Sequence, residues 1–142
     1  MTHTADVCVV GGGPGGLGTA VMAARAGADV LLVERYGGMG GMAAWGEVQP
    51  FMGNHVNGTC MDKPVYVEWI RAMKRYLADG HPMHALESPE LTGNDRLIHK
   101  DLAMLAAEDL CLEAGCRLLY HHTLADVVLR DGRIDALVLH SK

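Results

Sequence analysis

The stretch Asp6-Val7-Cys8-Val9-Val10-Gly11-Gly12-Gly13-Pro14-Gly15-Gly16 decides the fold. Val7 to Val10 is apolar without polar alternation, the pattern of a parallel strand covered on both faces, and it predicts a central strand over Asp6 to Val10. Gly11, Gly13 and Gly16 then spell G-x-G-x-x-G, and Pro14 falls where a first helical turn tolerates a missing N–H. A helix is expected from about Gly15 to Ala26, capped by Gly27, followed by a second buried strand over Ala28 to Glu34. The three glycines have separate tasks: Gly11 permits the tight turn, Gly13 lets the backbone approach a pyrophosphate, and Gly16 allows close packing of helix on strand. The helix N-terminus adds N–H groups and a positive dipole end. Glu34 closes the second strand 23 residues after Gly11, where an acid accepts hydrogen bonds from both hydroxyls of an adenosine ribose. Strand, turn, helix, strand and acid in register predict a dinucleotide site.

Downstream the pattern loosens. Residues 35–97 hold a glycine and methionine segment (Gly37, Gly38, Met39, Gly40, Gly41, Met42), a loop, and a helix near Pro64 to Leu77 with Val65, Trp69, Ile70, Met73 and Leu77 at helical spacing. A longer helix is expected from about His99 to Ala114, capped by Gly115, and a third strand over Arg117 to Tyr120. Leu124 to Leu129 and Ile134 to His140 flank Asp131-Gly132, a strong hairpin signal. Some 80 residues separate the second and third parallel strands, far more than an ordinary connection, so an insertion with its own role fills that gap.

Composition narrows the function classes. The chain has 142 residues, 49% hydrophobic and 20% charged, which is a globular balance and long enough for a core without disulfide or metal staples. Its formal charge of −5 and the lack of a Lys/Arg stripe argue against nucleic acid. Neither a signal peptide nor a bilayer-spanning apolar run is visible, which predicts a cytoplasmic protein with no membrane partner. Cys8, Cys60, Cys111 and Cys116 form no C-x-x-C, and Cys8 falls in an expected buried strand, so four reduced thiols are expected. Of 18 glycines only four follow Gly58, which concentrates the special backbone demands in the N-terminal part.

Four segments together carry a family resemblance: Val9 to Gly16, Leu31-Leu32-Val33-Glu34-Arg35, Gly40-Gly41-Met42-Ala43, and the run from Glu113 to Leu119 through Asp131-Gly132-Arg133-Ile134. They resemble FAD-dependent oxidoreductases of the two-dinucleotide-binding-domain type, related to glutathione reductase and succinate dehydrogenase flavoproteins, and the resemblance covers most of the chain. Gln49-Pro50-Phe51-Met52-Gly53 fits the same group. The resemblance implies an α/β, Rossmann-like FAD-binding fold with a parallel sheet, a long insertion after the second strand and a C-terminal β-hairpin. It further implies FAD as cofactor, with Gly11, Gly13, Pro14, Gly15 and Gly16 on the pyrophosphate, Glu34 with Arg35 at the adenosine ribose, Gly40, Gly41 and Met42 along the pyrophosphate and ribityl chain, and the backbone of Leu124 or Ala125 at the adenine edge.

The resemblance has limits. Disulfide-reductase members carry a redox cysteine pair just after the glycine pair, whereas Met42 to Val48 holds none, so thiol relay chemistry is not expected. His81-x-x-His84 and His121-His122 tempt a metal reading, but adjacent strand residues face opposite ways and Pro82 removes a helical frame, so no metal site is expected. Met39, Met42, Met52, Met61 and Trp45 stay open between flavin neighbour and core filler. No catalytic residue or substrate is legible. A small-molecule substrate or an electron-transfer partner is expected. Two alternatives remain at this stage: a nicotinamide dehydrogenase domain, which the fingerprint and Glu34 permit but the glycine pair and insertion disfavour, and a non-catalytic dinucleotide-binding fragment. The chain stops at Ser141-Lys142 directly after a hairpin strand. An incomplete fold is therefore expected, one that self-associates or needs a complementing chain.

Overall fold

The computed structural model describes residues 2–48, 55–57, 59–61, 63–81 and 99–141. The Gln49 to Gly53 stretch, Met52 and His84 lie outside them.

Three parallel strands make the main sheet: β1 (Val7–Val10), β2 (Val30–Val33) and, after the insertion, β5 (Arg117–Leu119). β2 is the middle strand, pairing Val7 to Val10 on one side and Arg117 to Leu119 on the other. This corrects the expected placement of β1. Among the described residues β1 pairs only with β2, so it is an edge strand with one face covered: Val9 is in the core and Val7 packs against it, whereas Cys8 and Val10 are exposed. Cys8 accordingly does not sit in a buried strand. All four β2 residues are buried, as a strand sandwiched on both faces requires.

The first helix, α1 (Pro14–Arg25), begins one residue earlier than its glycines suggest, because Pro14 itself occupies the first helical position. It ends at Ala26, with Gly27 in the left-handed region. α1 buries Leu17, Ala20 and Val21 against the sheet. The short β3 (His55–Val56) and β4 (Thr59–Cys60) form a small hairpin in the insertion that periodicity did not reveal. α2 (Val65–Met73) is shorter than its apolar spacing predicts: Pro64 stands outside as the N-cap, and Lys74–Tyr76 tightens to a 3-10 turn. α3 (Lys100–Glu113) packs on α2, and the Trp69 indole N–H donates to the Ala103 carbonyl at 2.8 Å. Trp69 is among the largest fully buried side chains, so this bond satisfies the indole polar group inside the core.

The chain leaves the sheet through His121, whose φ of +60° turns it into a long hairpin. The two strands are β6 (His122–Arg130) and β7 (Arg133–Ser141), joined by Asp131-Gly132 with both residues at positive φ as a two-residue turn requires. The α/β architecture is the expected one. Both hairpin strands run further than the sequence reading set them, because the polar ends His122, Thr123, Arg130 and Arg133 pair in the ladder as well.

Candidate functional site

The carboxyl ends of β1 and β2, the start of α1 and the start of β6 surround one cleft of about 450 Å³. Its walls include Gly11, Gly13, Pro14, Glu34, Arg35, Gly41, Met42 and Leu124, eight of the residues singled out from the sequence. Such a crevice at strand carboxyl ends is where open α/β sheets take their ligands.

The glycine loop shows why each position has its residue. Gly11 has φ of +105°, a conformation L side chains rarely adopt, and its N–H donates to the Val33 carbonyl at 2.8 Å. A Cβ on Gly16 would run into the Gly11 carbonyl, so Gly16 serves the packing of α1 on the loop rather than the cleft wall. Gly12, a variable position in the fingerprint, is also held to glycine here: a Cβ would come within 2.7 Å of Met39 Sδ and 3.1 Å of Glu34 Oε2. Gly13 differs. A Cβ there would meet only Gly41 Cα at 3.8 Å, ordinary contact, so the fold itself has no use for the missing side chain. The room it leaves opens on the cleft.

Glu34 is 5% exposed and anchors the centre of the site. Its Oε2 accepts the Gly12 N–H at 2.6 Å and its Oε1 accepts the Tyr36 N–H at 2.9 Å. Each carboxylate oxygen has about two acceptor positions, so one on each oxygen remains for a ligand. Sequence reasoning gave Glu34 a ligand role and missed that it also ties the glycine loop to the end of β2.

Gly40 is not on the cleft wall; its N–H donates to the Gly12 carbonyl at 2.8 Å and fastens the second glycine segment to the first. Gly41 then lies with its α-carbon against Gly13. Gly15 faces the other way, into a cavity between α1 and α2. Met39 is fully buried and belongs to the core, whereas Met42 is exposed on the cleft. Trp45 lines the cleft, stacks near Tyr36 with ring centroids 5.0 Å apart and donates its indole N–H to Gly38 at 2.9 Å. Tyr36, His122 and Thr123 also line the cleft and were not singled out as cleft residues from the sequence. Tyr36 sits two residues after the ribose acid and His122 at a strand start, positions that carry a signal only once the strand ends are known to converge.

Away from the cleft, burial pushes the Cys111 thiol up to about 12 and raises that of Cys116 beside it. Tyr120 is raised as well, by burial first and then by its hydrogen bond to Glu108. These are protonated core groups, not nucleophiles. Among the described residues no group of three metal-ligating side chains comes together, and no helix is long and apolar enough to cross a membrane.

The fold and cleft define a dinucleotide-binding α/β protein. Residues 6–142 match the family model described as FAD dependent oxidoreductase, and the chain belongs to that family. Its cofactor is FAD. Among solved structures the chain is similar to Thermovibrio ammonificans THI4, with 24% identity and a TM-score of 0.57 over 96% of this chain and 48% of that one. It is also similar to 3-ketosteroid-delta4-(5alpha)-dehydrogenase from Rhodococcus jostii RHA1, with 19% identity and a TM-score of 0.60 over 96% and 42%. A third likeness is to L-proline dehydrogenase from P. horikoshii, with 15% identity and a TM-score of 0.61 over 98% and 50%. At these identities the likeness concerns the fold. The chain spans half or less of the length of each of these structures. No curated protein matches it.

Proposed function

We propose that this chain is the FAD-binding portion of a cytoplasmic flavin-dependent oxidoreductase acting on a small molecule or an electron-transfer partner, and that the cleft takes the ADP half of the cofactor. The observation that carries this reading is Glu34: a nearly buried carboxylate with each oxygen already holding one backbone N–H and each retaining one acceptor position, set beside a glycine whose absent side chain the fold does not need. Two free acceptors suit the two hydroxyls of a ribose. A 2′-phosphate would meet the same carboxylate with repulsion.

In this reading the pyrophosphate lies over Gly11 to Gly13. There α1 has no side-chain cap, and its first N–H groups have no intrahelical acceptor. Gly41 and Met42 continue the wall toward the flavin half, held in place through the Gly40 to Gly12 bond. The bound isoalloxazine supplies the redox chemistry; the residues described here bind and orient the cofactor. Purified protein should show visible flavin absorbance, and cofactor released by heat should run as FAD on chromatography. Recovery of FMN, or NADP competing on equal terms, would overturn the assignment.

A further inference from the structure

α1 and α2 are tied together where the Arg25 guanidinium grips both oxygens of Glu68, at 3.1 and 2.6 Å. Between the earlier turns of α1 and the start of α2 lies a cavity of about 550 Å³ that shares only Pro14 with the cofactor cleft. That volume is within the range that holds a small molecule. Leu17, Val65 and Trp69 give it a buried apolar wall, and the Trp69 indole N–H is turned away to the Ala103 carbonyl. Met22 and Met61 line it as well and are exposed, so two flexible thioethers can re-pack around what enters. Gly18 also faces this space, and a Cβ there would meet nothing within 4 Å.

The charge in this wall has one sign. Lys63 lines the cavity, is exposed, and has no hydrogen bond or ion pair with the other described residues. Among the described residues no carboxylate lines the cavity, and Glu68 on the neighbouring helix is already held by Arg25. The Thr19 hydroxyl donates to the Gly15 carbonyl at 2.8 Å. An unmatched ammonium beside an apolar wall, in a chain whose formal charge is −5, is complementary to a molecule with an apolar body and one negative group.

We propose that this cavity is a second binding site and takes an apolar carboxylate, its body against Leu17, Val65 and Trp69 and its negative group on the Lys63 ammonium. The inference does not depend on the nucleotide reading above. The test uses the 142-residue chain with 1-naphthylacetate and its uncharged amide as probes, read by calorimetry and by the ¹³C-methyl resonances of the methionines. The acid should bind about threefold to fivefold more tightly than the amide, the upper part of the range for an exposed ion pair, and added salt should narrow the gap. Met22 and Met61 should shift on adding the acid, while Met42, on the wall of the cofactor cleft, should not. Lys63→Met should bring the ratio close to one and leave the amide bound as before. Gly18→Leu fills the cavity from α1 and should abolish binding of both probes with circular dichroism and melting temperature unchanged. If that variant loses its fold, Lys63→Met and the methionine shifts decide the matter. A ratio that ignores Lys63→Met, or acid binding that survives a folded Gly18→Leu, overturns the inference. So does a wild-type chain that self-associates and becomes monomeric with Gly18→Leu, since the cavity would then seat a second copy. If neither probe binds, the inference falls and the cofactor cleft is untouched.

Discussion

β1 and β2 are spelled almost alike, Val-Cys-Val-Val and Val-Leu-Leu-Val, and they pair residue for residue, yet one has an open face and the other has none. Val10 is 45% exposed where its partner Val33 is 1% exposed. The difference comes from the neighbours. β2 has β5 on its far side, whereas β1 has no second strand among the described residues. Apolar spelling therefore reports that a segment is a strand; its burial is decided by where the topology puts it. The same contrast separates the two strand ends. β1 runs into a backbone loop whose glycines divide between those the fold needs and one it does not, and β2 runs into a single carboxylate that ties that loop down and, in the proposed reading, also holds the ribose.

The sharpest way to break this comparison lies just beyond β1. Gly16→Val should prevent folding, because the new side chain overlaps the Gly11 carbonyl, while Gly13→Ala should keep its circular dichroism and most of its thermal stability and lose FAD binding. Equal loss of fold in both would show that Gly13 is structural. Next in size, Leu32→Ala in β2 should cost about 2–5 kcal/mol in denaturant unfolding, against within ~0.5 kcal/mol for Val10→Ala. Comparable losses would show that β1 is covered in solution. Glu34→Ala should weaken FAD binding by roughly 1–3 kcal/mol, the range for charged hydrogen bonds, with a further loss of stability from the freed Gly12 and Tyr36 N–H groups. Titration by fluorescence and thermal melts would measure the two separately. The smallest effect is chemical. Cys8 is exposed with its thiol somewhat raised by desolvation, so alkylation of the native protein should reach it slowly near neutral pH and faster as pH rises and the thiolate forms. Cys111 and Cys116 should react only after unfolding, and native labelling of Cys111 mapped by mass spectrometry would contradict its burial.

What could be read in the sequence was local and periodic. The glycine fingerprint, Pro14, the spacing of Val65, Trp69 and Ile70, and the Asp131-Gly132 turn act over a few residues, and each marks an element that is present. The edge position of β1 was not legible, because it depends on β5 pairing with β2 from beyond the insertion. Part of the cleft was missed for the same reason. Tyr36 and His122 carry no motif that marks a cleft, and they meet Trp45 and Thr123 only because β2, the second glycine segment and β6 converge. Gly12 received no role from the sequence, because its constraint comes from Met39 and Glu34, which pack against it only in the fold.

The place of β2 between a partner one helix upstream and another more than 80 residues downstream has a consequence for synthesis. A ribosome adding ~5–20 residues per second makes β2 and then needs roughly 4 to 17 seconds to deliver β5. Throughout that window Val30 to Val33 presents an apolar strand with an open hydrogen-bonding edge, the kind of segment that pairs with other chains. The finished sheet closes that edge, so this exposure of β2 belongs to the nascent chain.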